Sequence, residues 1–174
     1  MRILLGITGS VAAVLAPKLI DLIANKYEVR VIVTDKVQKF VSIETEVYKD
    51  EDEWVSFEKI SDPIIHIELR RWADAFLIAP CTMNTLAKIS NGLCDNLLTN
   101  TARAWDFSKP FVIAPAANTF MWESHITKKQ IELFKGLGGL VIPPVYKTLA
   151  CGDTGIGAMA PIEKILHLVE ALEY

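Results

Sequence analysis

Cysteine is scarce in this 174-residue chain, and its three copies, Cys81, Cys94 and Cys151, are odd in number and lack metal-ligand spacing. That argues against a disulfide framework and against a zinc site, and it makes a reducing cytoplasmic compartment the expectation. No apolar run approaches the about 18 residues needed to cross a bilayer, so no membrane partner is expected. The apolar start Ile3-Leu4-Leu5 runs straight into a glycine turn and reads as a first strand rather than a targeting segment. Positive charge is not in excess either: 18 Lys and Arg stand against 21 Asp and Glu, for a net charge of -3. Lysines and arginines scattered in this way build no field for a phosphate backbone, which excludes nucleic acid as an expected partner. Pro- or Ser-rich linkers, repeats and low-complexity tracts are missing too, so residues 1–174 are expected to form a single domain.

What the chain does have is apolar side chains: 51% of residues against 22% charged, with a mean hydropathy of +0.29. For one small domain that excess predicts an apolar surface facing another subunit. Short β-rich runs recur at Arg2 to Leu5, Glu28 to Thr34, Ala75 to Ala79, Pro110 to Ala114 and Leu140 to Pro143, with helical stretches between them. Alternation of this kind predicts an α/β fold, a Rossmann-like (flavodoxin-like) parallel sheet with helices on both faces. Phe76-Leu77-Ile78-Ala79 and Phe111-Val112-Ile113-Ala114 are apolar on both faces, as buried central strands must be. Val11 to Ala24 has helical spacing, with Leu15, Leu19, Leu22 and Ile23 facing inward, and Pro161 to Leu172 reads as a docking helix that closes the core. The acidic run Lys49-Asp50-Glu51-Asp52-Glu53 reads most simply as a solvated loop.

Open parallel sheets bind ligands beyond the carboxyl ends of their strands. Gly6-Ile7-Thr8-Gly9-Ser10 lies at the first such end, where glycine permits close approach, although its spacing departs from GxGxxG and does not support an ordinary dinucleotide site. It can be a phosphate cradle or only a tight connection. Thr34, Thr82, Asn84 and Thr85 add neutral donors and acceptors suited to a phosphate or a flavin edge, although Thr82 would equally serve as a helix cap. His66 near a helix start, Asn118 after a strand end and Cys151 among Gly152, Gly155 and Gly157 stand in three separate segments. Each has a bland alternative: a structural histidine, an N-cap and an incidental thiol. Together they make a candidate active site, with the three glycines letting the cysteine segment fold over a substrate.

These segments, with Gly9-Ser10-Val11-Ala12, resemble the flavin-dependent cysteine decarboxylases. The string His66-Ile67-Glu68-Leu69-Arg70-Arg71-Trp72-Ala73-Asp74 and the string Gly92-Leu93-Cys94-Asp95-Asn96-Leu97-Leu98 are similar to the eukaryotic branch, whose substrate is 4'-phosphopantothenoyl-L-cysteine of coenzyme A biosynthesis. The resemblance implies FMN as cofactor and a homotrimer with flavin at subunit boundaries. It matches Gly9, Ser10, Val11, Thr34, Thr82, Met83, Asn84, Thr85 and Ala116 to flavin-contacting positions, and Asn118, Ala150 and Cys151 to substrate-contacting ones. It makes His66 the base and Cys151 the proton donor; Arg71 and Lys147 are further candidates for the pantetheine or phosphate end.

Two positions depart from the family pattern. Its Pro-x-Met-Asn-x-x-Met-Trp reads Pro115-Ala116-Ala117-Asn118-Thr119-Phe120-Met121-Trp122 here, and its Ala-Asn-Thr reads Met83-Asn84-Thr85. If Met83 and Ala117 pack against each other near the flavin, the exchange conserves volume, which cores tolerate best.

The chemistry suits these groups. A cysteine amide cannot lose carbon dioxide until it has an electron sink, and oxidising the thiol to a thioaldehyde supplies one. The enethiol left behind must be re-reduced and protonated, which calls for an acid such as Cys151. Peptidyl-cysteine decarboxylases and flavin prenyltransferases are less expected, the first because of Ala150-Cys151-Gly152-Asp153 and the second for want of a His-Asn-Cys set. A regulatory flavoprotein of the phosphatase-inhibitor kind would have lost catalytic residues, and this chain keeps all three.

Overall fold

The computed structural model describes every residue except 56–58, 61 and 174. Its sheet is built from β1 (Arg2–Ile7), β2 (Glu28–Val33), β3 (Val47–Tyr48), β4 (Ala75–Cys81), β5 (Phe111–Pro115) and β6 (Leu140–Val141), and a separate hairpin from β7 (Val145–Thr148) and β8 (Thr154–Ala158). The helices are α1 (Ala16–Ala24), α2 (Asp50–Val55), α3 (Ile65–Trp72), α4 (Met83–Asn91), α5 (Leu97–Arg103), α6 (Thr119–Glu123), α7 (His125–Gly136) and α8 (Ile162–Ala171). The six strands are parallel and lie in the order β3-β2-β1-β4-β5-β6. Without the two-residue edge strand β3, the remaining five have the flavodoxin-like order, so the predicted fold class holds. The order reverses between β1 and β4, which puts the crevice of the sheet beside the loops that follow those two strands.

Alternation along the strands divides the interior into two layers. Ile3, Leu5 and Ile7 of β1, Leu77 and Ala79 of β4, and Val112 and Ala114 of β5 meet α1 and α8 through Leu19, Ile23, Ile165 and Val169. Leu4, Phe76, Ile78, Phe111 and Ile113 face the other way, against Leu69 of α3, Leu86 of α4, Leu98 of α5 and Phe134 of α7. Every residue of β4 and β5 is buried, as central strands covered on both faces require. Phe76 and Phe111 stack with ring centroids 4.6 Å apart, and Phe134 meets Phe111 edge-on at 5.1 Å. That aromatic layer locks β4, β5 and α7 together.

Two local expectations are corrected. Val11–Leu15 forms a 3-10 turn before α1 begins at Ala16, and Leu15 is exposed rather than inward-facing. Ser10 caps that turn by accepting from the Ala12 N–H, and Pro17 lies in the first turn of α1, where its missing N–H goes unneeded. The acidic run is not a solvated loop but the helix α2, and it docks on α5. The Asp50 carboxylate accepts from the Leu97 N–H at 2.7 Å, and Glu53 accepts from Asn100 Nδ2 at 3.2 Å. The spacing of three matches on both helices, so two carboxylates on one face of α2 meet two donors on one face of α5. Burial is the main influence on the Asp50 carboxyl and pushes its pKa up, against the pull of the Leu97 N–H.

Candidate active site

The loops leaving β1 and β4 are tied by one hydroxyl. Thr8, fully buried, donates from Oγ1 to the Pro80 carbonyl at 2.8 Å and accepts from the Thr82 N–H at 2.9 Å. Sequence reasoning does not single out its side chain, since a threonine at a strand end carries no signal separating it from a solvated one. Thr82 caps α4 by accepting from the Thr85 N–H, the structural alternative foreseen for it. Met83 and Thr85 are buried beneath α4, so of the Met83-Asn84-Thr85 string only Asn84 offers an exposed side chain. Thr34 Oγ1 accepts from the Gly9 N–H at 3.2 Å, which fastens the first loop to the second. Thr34 itself lines a separate cavity of about 530 Å³ beside the chain after β2.

A groove of about 440 Å³ opens at the carboxyl edge between the Ser10–Leu15 turn, the segment after β5 and the β7–β8 hairpin. Ser10, Val11 and Ala12 line one wall, Ala116, Ala117 and Asn118 another, and Lys147, Ala150, Cys151, Gly157 and Met159 a third. Val11 and Val14 are about half exposed. A lining of small and apolar side chains with a few hydroxyl, amide and thiol groups suits a largely apolar ring with a polar rim. The groove thus gathers Ser10, Val11, Ala116, Asn118, Lys147, Ala150 and Cys151, seven of the residues expected from the sequence, and Gly9 adjoins it.

Asn118 caps α6: its Oδ1 accepts from the Phe120 N–H at 2.9 Å. With that oxygen engaged, the amide nitrogen faces the hairpin, 3.4 Å from Cys151 Sγ and 2.9 Å from Asp153 Oδ2. Cys151 also donates to Asp153 Oδ2 at 3.3 Å. Asp153 is thus a third member of this cluster, and sequence reasoning did not single it out. Its one advance signal was the turn spacing Cys-Gly-Asp, and the structure explains it: Gly152 N–H to Leu149 O at 2.9 Å and Leu149 N–H to Asp153 O at 2.7 Å close the turn that folds the carboxylate back on the thiol.

The glycines do not act as one hinge, and that expectation is corrected. Only Gly152, at φ +91, belongs to the turn. Gly155 and Gly157 are strand residues of β8 that let the hairpin lie against the chain after β5. A Cβ on Gly155 would fall 2.3 Å from Thr119 Oγ1, and one on Gly157 2.3 Å from the Ala117 carbonyl oxygen. The Ala117 N–H donates to Gly157 O at 2.9 Å, so this contact sets the height of Cys151 over Asn118. Ala117 and Met83 fall in the same apolar layer.

His66 is not brought into the groove. It sits in the first turn of α3, a helix that buries Leu69 in the layer opposite α1. Its Nδ1 is paired with Glu53 of α2. Arg71 is paired with Glu68 on the exposed face of α3 at 3.0 Å and does not line the groove. Within one chain, then, the structure joins two of the three expected catalytic residues and leaves the third on α3, outside the groove. Among the described residues there is no group of three His, Cys, Asp or Glu that could hold a metal ion, and no helix is long and apolar enough to cross a membrane.

The model of the family described as Flavoprotein matches residues 1–173. The chain belongs to the flavoprotein family. A mouse relative of this flavoprotein, named phosphopantothenoylcysteine decarboxylase, is 46% identical over 176 residues, spanning 98% of this chain and 86% of its own. Among solved structures, a cysteine-to-serine mutant of a PPC decarboxylase complexed with pantothenoylaminoethenethiol superposes with a TM-score of 0.96 at 47% identity, covering 99% of this chain and 97% of its own. A second, described as the FMN binding protein AtHal3, has a TM-score of 0.91 at 48% identity, covering 98% of this chain and 95% of its own.

Proposed function

We propose that this flavoprotein is a phosphopantothenoylcysteine decarboxylase that converts 4'-phosphopantothenoyl-L-cysteine to 4'-phosphopantetheine with FMN as cofactor. The observation that carries the reading is the Asn118–Cys151 pair, 3.4 Å apart in a groove lined mainly by small and apolar side chains. The relatives' names and the solved likenesses support it. FMN would rest on Ser10, Val11, Ala116 and the exposed edge at Asn84, and when bound it supplies two-electron oxidation and reduction.

The protein's own groups account for the rest. The Asn118 amide, aimed by its bond to Phe120, donates to the substrate carboxylate and keeps the carbon–carbon bond that must break in a fixed orientation. His66 takes the proton released as the thiol-bearing carbon is oxidised to a thioaldehyde, and carbon dioxide then leaves into that sink. Cys151 returns a proton to the enethiol carbon as the product is re-reduced. Its bond to Asp153 holds the S–H in place beside the groove. Lys147 reaches the phosphorylated end from the third wall.

Because His66 does not line the Cys151 groove of its own chain, a complete site needs His66 from a neighbouring copy. A homotrimer with flavin at each boundary meets that need, and the exposed apolar residues Val11, Val14, Phe120 and Met121 beside the groove provide a surface for it. The test is turnover of 4'-phosphopantothenoyl-L-cysteine by the purified yellow protein, with products followed by mass. Wild type should release 4'-phosphopantetheine and Cys151→Ser should stop at the enethiol; a flavin-loaded wild type that forms neither product overturns the proposal.

A further inference from the structure

Glu53 is the one carboxylate of the acidic run that the fold encloses. It is 8% exposed, while its neighbours in sequence face solvent or the α5 terminus. Enclosure without partners would be costly, and both of its oxygens are engaged. Oε1 faces His66 Nδ1, and Oε2 accepts from Asn100 Nδ2 at 3.2 Å. Asn100 stands on α5, which packs on α3, so the carboxylate is clamped between the helix that carries the imidazole and the helix beside it. An imidazole whose Nδ1 meets a carboxylate carries its proton on that nitrogen. Its Nε2 then presents a lone pair, and the ring cannot swing. His66 retains 24% of its side-chain surface, which leaves an open side for a substrate.

We propose that Glu53 is a positioning residue for His66: it holds the imidazole as the Nδ1–H form with Nε2 free to accept the substrate's proton, and Asn100 fixes Glu53 in turn. The proposal rests on the decarboxylase reading for the rate that it affects, but not for the geometry. No substrate proton passes to Glu53; it orients the acceptor and faces the imidazolium formed when Nε2 is protonated.

The experiment is a long-range proton–nitrogen spectrum of the flavin-loaded, histidine-labelled protein, run with steady-state turnover for wild type, Glu53→Ala and Glu53→Gln. Wild type should show the His66 ring as the Nδ1–H form. In Glu53→Ala that signature should give way to a mixture or to Nε2–H, while kcat falls about 10- to 100-fold at an unchanged KM, the scale typical of lost outer partners. Glu53→Gln keeps an oxygen that can accept from Nδ1 and should restore the Nδ1–H form with part of the rate. Glu53→Ala retaining Nδ1–H overturns the proposal, whether or not the rate falls, since a rate loss with the tautomer intact marks a structural role only. Should Glu53→Ala fail to fold, Asn100→Ala decides: a mixed tautomer supports the clamp, and an unchanged one refutes it. If wild type forms no product from 4'-phosphopantothenoyl-L-cysteine, the proposed function fails while the ring spectra still decide the role of Glu53.

Discussion

Adding one methyl group at Gly157 should separate the placement of Cys151 from the integrity of the core. The new Cβ would sit 2.3 Å from the Ala117 carbonyl oxygen, 3.2 Å from its carbon and 3.4 Å from the Asn118 carbonyl carbon, all backbone atoms that no rotamer change can move. Restoring ordinary contact demands that β8 withdraw by roughly 1 Å. The bond from the Ala117 N–H to Gly157 O, 2.9 Å long, must then stretch or open, and overpacking with a lost hydrogen bond costs about 1–3 kcal/mol. Because β8 leads back to the turn holding Cys151, the 3.4 Å Asn118–Cys151 contact widens as well. A displacement of that size at a reacting group lowers kcat by roughly 100-fold. Gly157→Ala should therefore retain a cooperative melt at a reduced Tm and show the rate loss in phosphopantetheine formation. Gly136→Ala, at the end of α7 with open space around it, serves as the control and should match wild type in rate. Wild-type turnover and Tm in Gly157→Ala would refute the claim that this contact sets the hairpin's height.

Burial pushes the Cys81 thiol up to about 12, whereas Cys94 and Cys151 are exposed. Alkylation of the folded protein followed by peptide mass analysis should label Cys94 and Cys151 and spare Cys81 until denaturant is added. The Asp74 carboxyl is held below the usual range, chiefly by the Arg2 guanidinium at 2.8 Å, with the Arg2 N–H adding to it. A carboxyl whose pKa is lower folded than unfolded contributes stability above the ordinary aspartate range and loses it as pH falls through the lower folded value. Asp74→Ala should show a lower urea midpoint than wild type at about pH 7, and the gap should close as both are titrated toward about pH 2.

The strands were legible because a buried parallel strand is apolar on both faces, and Phe76–Ala79 and Phe111–Ala114 have no other plausible use. The ligand edge followed from the same pattern, since the loops after β1, β4 and β5 must share one side of a parallel sheet. The acidic run was misread for a physical reason: four consecutive acidic residues look solvated unless donors stand opposite them. Those donors, the Leu97 N–H and Asn100 Nδ2, lie 47 residues away. The glycines of β8 were misread in the same way, because flexibility and close approach demand the same residue. Only the positions of Thr119 Oγ1, opposite Gly155, and of the Ala117 carbonyl, opposite Gly157, distinguish the two.

By itself, then, the sequence determined the parallel α/β sheet, the edge at which a ligand can bind, and the residue types His66, Asn118 and Cys151, since each follows from local pattern or from strings matched position by position. The tertiary structure alone decided how they are partnered. Crossover connections put α3 and the Ser10–Leu15 turn on opposite faces of the sheet, so His66 meets Glu53 instead of the groove. The hairpin, lowered onto Ala117 by its glycines, brings Asn118 within 3.4 Å of a thiol 33 residues further on and adds Asp153. Periodicity carries information about neighbours a few residues apart; contacts across the sheet depend on helix placement, which no single segment encodes.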